Sequence, residues 1–327
     1  MKARRMRRGM ALLVAMTLLA LGPLHAQVFP GKPLKLIIPF APGGPMDTVG
    51  RLLGREMEKT LGQPVVVDNQ PGAGGTVAVR NATRQSADGH TMILVSPGPL
   101  VVSPVVDANL PYKVSDLAPV GQVYEANLPL SVRASLPVRN LREFVELARA
   151  SPGKLNYAHT GAPGLSYLAM EMFKLAAGID VVDVPFKGDG PILVELLAGR
   201  VDASTISYTA AAQHVAEGKV RMLATFGPRR ASVMPNVPTV SESGWPEVVA
   251  TGWVGLFVPA GTPAAAVQRL NAAMVGALAV PAVRERMMSL DVPPAPSSPE
   301  QFALFVKAEA DKWARLLKAL PLKATGN

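Results

Sequence analysis

A glycine turn near the N-terminus combines residue types that could bind an anion. Residues 34–51 read LKLIIPFAPGGPMDTVGR. The apolar start favours a buried strand that ends at Pro39, and Pro45 suits the first position of a helix. Gly43 and Gly44 let the backbone approach a ligand closely, and the first N–H groups of a helix have no partner within it. Since these groups carry the positive end of the helix dipole, the unit predicts a main-chain site for an anion such as a carboxylate.

Other chemistries fit this turn less well. No Lys-Ser or Lys-Thr pair follows the glycines, as a P-loop requires, and the spacing is not the GxGxxG of a dinucleotide site. Nucleotide binding is therefore not favoured. A plain connection between a strand and a helix uses the same residue types, so the glycines alone leave both interpretations open.

The same unit recurs along the first part of the chain. A second strand and glycine turn occupy residues 61–75, and a third apolar strand ends at Ser96. Strands that alternate with helices predict a parallel sheet of the α/β class, with right-handed crossovers. Ligands of such sheets bind at the carboxyl ends of the strands, so residues 40–47 and 69–75 are expected on one rim with Ser96.

A second unit of the same kind follows. Two strand-like pieces, APVGQVYEA and PLSVRA, are separated at Asn127, and LNYAHTGAPG at residues 155–164 repeats the strand and glycine turn. Residues 227–248 are rich in Pro, Ser and Arg and are interpreted as the return linker. The sequence thus predicts a hinged α/β protein with two mostly parallel sheets flanked by helices. Domain 1 is predicted at residues 27–125 and 232–327, and domain 2 at 126–231.

The N-terminus and the composition indicate export. Residues 1–26 carry five basic residues, then an apolar run too short to span a bilayer, and end at Ala26. This is typical of a secretory signal peptide. The absence of cysteine excludes disulfides, thiolate metal sites and a lipid-modified cysteine, which favours the periplasm. Without the signal peptide the chain has 28 Lys and Arg and 24 Asp and Glu, so the net charge falls from +9 to +4. Nucleic acid is therefore not an expected partner.

Motifs along the whole mature chain resemble one family. PFAPGGPMDTVGR, LGQPVVVDNQPGAGG, PGKLNYAHTGAPG, VPFKGDGP, MPNVPTVSESGWP and GLFVPAGTP occur in order. Together they resemble the Bug family, the extracytoplasmic receptors of tripartite tricarboxylate transporters. The resemblance implies a monomeric periplasmic binding protein, type II-like in fold, that closes on a small carboxylate without catalysis, cofactor or metal. Its implied partners are that ligand and the membrane subunits of the transporter.

The resemblance and the strand-end rule together predict the ligand-binding residues. The first family loop falls on residues 40–47, and the second on residues 160–167. The predicted ligand-binding residues are Phe40, Ala41, Pro42, Gly43, Gly44, Met46, Asp47, Ser96, His159, Thr160, Gly161, Gly164, Leu165, Ser166, Tyr167 and Lys187.

Several of these residues have alternative interpretations. Asp47 either contacts the ligand or only stabilises the start of its helix, and Lys187 either pairs with a second carboxylate or is solvated. The family usually has serine where His159 stands and often tyrosine where Phe186 stands. A histidine common in the second loop is also missing here. These departures favour a different, less polar ligand.

Two other functions compete with transport. A receptor of this kind could present its ligand to a membrane sensor kinase, and the sequence does not separate that role from delivery to a transporter. A periplasmic α/β enzyme is disfavoured, because Ser166 lies in GLSYL rather than in GxSxG and no base and acid partners are recognisable.

Overall fold

The computed structural model describes residues 29–107, 109–161, 164–186 and 188–319. The predicted signal peptide and Lys187 therefore lie outside the described residues.

The first sheet defines the first lobe. Its strands are β1 (Leu34–Ile38), β2 (Val65–Asn69), β3 (Thr91–Val95), β4 (Leu117–Ala126) and β10 (Gly252–Pro259), in the spatial order β2-β1-β3-β10-β4. β1 pairs in parallel with β2 and β3, whereas β10 is antiparallel to β3 and β4. Four of the five strands therefore run in one direction.

The second sheet defines the second lobe and repeats this arrangement. Its strands are β5 (Pro129–Arg133), β6 (Asn156–His159), β7 (Val182–Pro185), β8 (Ala203–Ser204) and β9 (Val220–Thr225), in the order β7-β6-β8-β5-β9. β5 is the reversed strand here. In each lobe the reversed strand is the one that the chain enters after crossing from the other lobe. The predicted fold, two mostly parallel sheets flanked by helices, is confirmed.

Ten helices flank the sheets within the described residues. They are α1 (Pro45–Leu61), α2 (Thr76–Thr83), α3 (Ser103–Val106), α4 (Leu141–Ala150), α5 (Leu165–Ala177), α6 (Asp189–Leu197), α7 (Tyr208–Ala216), α8 (Ala264–Ala279), α9 (Pro281–Ser289) and α10 (Pro299–Ala319). Short 3-10 turns cover Ala73–Gly75 and Val114–Asp116, and a π-helical turn covers Gly98–Val102.

Alternating side chains of β1 explain how the first sheet is covered on both faces. Leu36 and Ile38 pack into a cluster with residues of α1 and α8, while Ile37 packs into a cluster with residues of α2 and α10. Successive strand residues point to opposite faces, so a continuous apolar run is what a sheet buried on both sides requires. These packed helices fix the rim at which β1 ends and α1 begins.

No single helix in the described parts of the chain has the length and apolar character to cross a membrane. The bent pair α8 and α9, with an angle of 74° between them, meets that test only when the two helices are taken together.

Two crossings connect the lobes. The first is residues 127–128, between β4 and β5. After β9 the chain stays with the second lobe: Thr225 N–H donates to Pro238 C=O at 2.9 Å, and the Trp245 ring packs 5.2 Å from the ring of Phe173. The predicted boundary at 231/232 is thus too early, because turns rich in Pro and Ser fold back onto the sheet. We place the second crossing near Ala250, whose N–H still bonds to the C=O of Phe226.

A buried carboxylate lies against the first crossing. Asp291 follows α9, is only 6% exposed, and accepts a hydrogen bond from Asn127 Nδ2 at 3.1 Å. Burial disfavours the ionised form and raises the pKa of Asp291 to about 6. This pKa lies above the value of 3.8 that applies in an unfolded chain. The contribution of Asp291 to the stability of the fold is therefore greatest below pH 3.8. That stability is lost as the pH rises through about 6.

We expect Asp291→Asn to stabilise the protein at pH 8. Asparagine keeps the acceptor for Asn127, removes the buried charge and tolerates the φ of +54° at this position. The free energy of unfolding should rise by about 3 kcal/mol at pH 8, and the gain should disappear below pH 4. Urea unfolding at both pH values measures this, with the exposed Asp311→Asn as the charge-matched control. A less stable Asp291→Asn protein at pH 8 would mean that the charged hydrogen bond outweighs the burial cost.

Candidate functional site

The two lobes enclose a cleft of about 580 Å³. This volume lies within the range of sites that bind small molecules. Residues that follow strands of both sheets contribute to its walls. The residues that line this interdomain cleft are Phe40, Met46, Ala73, Gly74, Ser96, Pro97, Gly98, Pro99, Ser103, Tyr124, Ala126, Asn127, Leu128, Thr160, Gly161, Gly164, Leu165, Ser166, Asp189, Thr205, Ser207, Gly252, Trp253 and Val254.

The first-lobe loop ends at the N-terminus of α1. Gly44 is the N-cap residue, with an extended backbone and no side chain to cap the helix, and Pro45 follows it. The first hydrogen bond of the helix runs from Thr48 N–H to Gly44 C=O, so the N–H groups of Met46 and Asp47 precede the helical ladder. Such groups are available to an anion.

Asp47 holds this loop in shape. Its carboxylate is 5% exposed and accepts hydrogen bonds from Gly43 N–H, Arg51 Nε and Asn69 Nδ2, each at 3.0 Å. Chiefly through the bond from Arg51, the pKa of Asp47 is lowered to about 2. Asn69 Nδ2 also lies 3.0 Å from the C=O of Phe40, so the network joins β2, the loop and α1. These contacts give Asp47 a positioning role, while direct ligand contact stays a prediction.

The second-lobe loop ends at the N-terminus of α5. Ser166 Oγ accepts from Thr160 N–H at 3.2 Å and lies 2.9 Å from Thr160 Oγ1. A tight turn brings Gly164 N–H to the C=O of Gly161 at 2.9 Å, and the helical ladder starts with the bond from Leu168 N–H to Gly164 C=O. The start of α5 therefore faces the cleft from the side opposite to α1. Each of these two helix N-termini carries a partial positive charge of roughly half an elementary charge, and both lie at the same cleft.

His159 and Tyr167 lie beneath the second-lobe loop. His159 is fully buried, and its Nδ1 accepts a hydrogen bond from Gly161 N–H at 3.1 Å. Burial lowers the pKa of His159, so the neutral ring that can accept this bond is favoured. The Tyr167 ring packs 5.0 Å from the His159 ring and is 7% exposed. Neither residue lines the cleft, and both support the loop from below.

The structure brings half of the predicted site residues to the cleft surface. Those that line it are Phe40, Met46, Ser96, Thr160, Gly161, Gly164, Leu165 and Ser166. Residues 41–44 are exposed or half-buried beside them, whereas Asp47, His159 and Tyr167 are buried. Lys187 is not among the described residues.

Sequence reasoning missed other parts of the wall. Thr205 and Ser207 follow β8 in the run VDASTIS, whose composition is typical of a strand, so the strand-end rule could have found them. Asp189 likewise follows β7, which ends at Pro185, and begins α6, so the same rule could have found it. Trp253 is 1% exposed and packs edge-on at 5.6 Å from Phe302, yet it also forms part of the cleft wall. An interior strand residue beside a crossing is hard to assign to a site from sequence alone.

The described wall of the cleft carries few ionisable side chains. Asp189 is the one acidic or basic side chain among the described lining residues, and no group of three metal-ligating side chains occurs among the described residues. Ser166 Oγ is engaged with Thr160, and the Nδ1 of the nearby His159 accepts from a main-chain N–H rather than from Ser166. This arrangement lacks the nucleophile and base pair of a hydrolase within the described wall.

A family model matches most of the chain. The model described as "Tripartite tricarboxylate transporter family receptor" matches residues 49–322. Protein BugT of Bordetella pertussis (strain Tohama I) is 35% identical over 298 residues, which cover 90% of this chain and 91% of BugT.

Two solved structures that share the fold are described with an organic acid. MatC from Rhodopseudomonas palustris, described with bound malate, is 35% identical with a TM-score of 0.76, over 88% of this chain and 100% of MatC. R. palustris Rpa4515, described with adipate, is 29% identical with a TM-score of 0.79, over 89% of this chain and 97% of Rpa4515. The chain therefore belongs to the tripartite tricarboxylate transporter receptor family, the Bug family that its motifs resemble.

Proposed function

We propose that this protein is a periplasmic receptor that binds a small carboxylate in the interdomain cleft and delivers it to the membrane subunits of a tripartite tricarboxylate-type transporter. The observation that carries the proposal is the pair of helix N-termini, α1 and α5, that face one cleft from opposite lobes. Relatives with bound malate and adipate support a carboxylate as the ligand.

Carboxylate binding follows from the kind of groups at the two loops. Main-chain N–H groups at the starts of α1 and α5 can donate to the two oxygens, and the hydroxyls of Thr160, Ser166 and Ser96 lie on the same surface. Phe40, Leu165 and other apolar residues cover the hydrocarbon part of a ligand. The predicted site residues that line the cleft or flank it at residues 41–44 are proposed as the binding surface.

Closure is expected because the donors belong to different lobes. Neither α1 nor α5 can surround a ligand alone, whereas rotation about residues 127–128 and the crossing near Ala250 would bring both loops to it. A ligand that contacts both lobes stabilises the closed state by its differential affinity for that state. Binding and closure are therefore coupled in this proposal.

The decisive experiment compares acids with their amides. A thermal-shift screen of small carboxylic acids identifies a ligand, because a ligand at 100 times its Kd adds about 2.7 kcal/mol of stability. Calorimetry then compares that acid with its primary amide. We expect the amide to bind at least about tenfold more weakly, a difference of 1.4 kcal/mol, since charge-assisted hydrogen bonds are the stronger kind. Equal affinity of acid and amide would refute a carboxylate site.

A further inference from the structure

One charged side chain stands out in the described wall of the interdomain cleft. Asp189 is the first residue of α6, and the other described lining residues are apolar or uncharged polar groups. A carboxylate in the wall of a cleft for anions is unexpected, because it repels the ligand's own charge.

The Asp189 carboxylate is held in a fixed orientation. Its Oδ2 accepts from the Ser207 N–H at 3.1 Å and from the Ser207 hydroxyl at 2.6 Å. Thr209 Oγ1 donates in turn to Ser207 Oγ at 3.3 Å, which leaves the serine proton for Asp189. Among the described residues, Oδ1 has no hydrogen-bond partner. One oxygen is thus anchored by Ser207, and no described residue bonds to the other.

Asp189 lies on the same wall as the start of α5. Thr205 Oγ1 donates to the C=O of Ser166 at 3.2 Å, and both residues line the cleft. At most about 7 Å of extended chain separates Thr205 from Ser207, which holds Asp189. A single small acid can therefore place its carboxylate at α5 and its other end near Asp189.

We propose that Asp189 is a specificity-determining residue of this cleft. It selects acids whose far end carries a hydrogen-bond donor, a hydroxyl or an ammonium group, and it disfavours a second carboxylate. An ionised carboxylate accepts hydrogen bonds and cannot donate them, so it pairs with a donor and repels another carboxylate. The inference rests on the proposed function, because it requires the other end of the ligand to be bound as a carboxylate.

Matched acids test this proposal. The probes are two sets of equal chain length: succinate, 4-hydroxybutanoate and 4-aminobutanoate, then adipate, 6-hydroxyhexanoate and 6-aminohexanoate. Calorimetry on the wild-type protein should show, in at least one set, an acid with a terminal donor that binds more than tenfold tighter than the dicarboxylate. In Asp189→Asn, whose side chain has the same shape and no charge, this preference should fall below threefold.

A variant on the same helix controls for net charge. Glu195 lies on α6, pairs with Arg200 and does not line the cleft, so Glu195→Gln should leave the wild-type preference unchanged. A preference for the dicarboxylate in the wild type that is lost in Lys187→Gln would overturn the proposal, because it would assign a second carboxylate to Lys187. The proposal is also overturned if the wild-type preference for an acid with a terminal donor persists unchanged in Asp189→Asn. If no acid binds at all, the proposed carboxylate function fails, and this inference fails with it.

Discussion

Gly44→Val is expected to abolish measurable ligand binding while the protein stays folded. Gly44 is the N-cap of α1, and a side chain there would stand beside the N–H groups that we assign to the carboxylate. We expect the affinity to fall at least a hundredfold, about 2.7 kcal/mol, because the isopropyl group occupies the approach to those groups. Calorimetry with the acid identified by the screen measures the loss.

The structure separates this effect from damage to the fold. The backbone of Gly44, with φ −77° and ψ 171°, is open to any residue, and a Cβ built there meets no atom within 4 Å. Valine is a poorer N-cap than glycine, so a loss of about 1 kcal/mol in stability is expected and no more. Gly276→Val on α8 is the control, since a Cβ there also meets nothing within 4 Å. Normal binding by a folded Gly44→Val protein would remove this loop from the site.

Local sequence signals predicted the elements that carry the site. β1 ends at Ile38 before Pro39, and α1 begins at Pro45, because proline disrupts a strand and suits the first turn of a helix. The start of the last helix carries a local signal as well, a capping box in which Gln301 N–H donates to Ser298 Oγ at 3.2 Å and Ser298 N–H donates to Gln301 Oε1 at 3.1 Å. Such signals involve residues that are close in sequence, so they can be recognised before the structure is known.

Signals that depend on distant partners were missed. Helices α7 and α9 have nine residues each and bury few side chains, Ala211 in α7 and Val283 and Met287 in α9, so their sequences carry little helical pattern. The position of residues 231–248 on the second lobe likewise follows from contacts with Thr225 and Phe173 that the sequence does not display.

Among the site residues, too, local signals were recognised and contacts with distant partners were not. Gly43, with φ +96°, and Gly161, with φ +110°, stand where the glycine turns were predicted, because such backbone angles favour glycine. The hydrogen-bond partners of Asp47 and His159 could not be predicted from such local signals. Whether a polar side chain points into a cleft or beneath a loop depends on the donors that tertiary packing places around it, here Arg51 and the main chain of Gly161.

Gly164→Ala is expected to abolish binding by a different route, which tests the second-lobe loop. A Cβ at Gly164 would lie 2.7 Å from the carbonyl oxygen of Gly161. This obstacle is backbone, and the same carbonyl accepts the hydrogen bond from Gly164 N–H that closes the turn. One methyl group should therefore displace residues 160–161 and the start of α5 together. Binding should weaken at least a hundredfold by calorimetry, although the added methyl never reaches the ligand.

A second alanine variant distinguishes displacement of this loop from a general effect on the second lobe. Gly190 lies on α6 near the same cleft, and a Cβ there meets nothing within 4 Å, so Gly190→Ala should bind within about threefold of the wild type. Circular dichroism should show folded protein for both variants, because the turn at Gly164 is separate from the buried face of α5 that includes Leu168 and Phe173. If Gly164→Ala binds as the wild type does, the position of the Gly161 carbonyl is irrelevant to the site. The N-terminus of α5 would then not be the second half of the carboxylate site, and α1 alone would have to hold the anion.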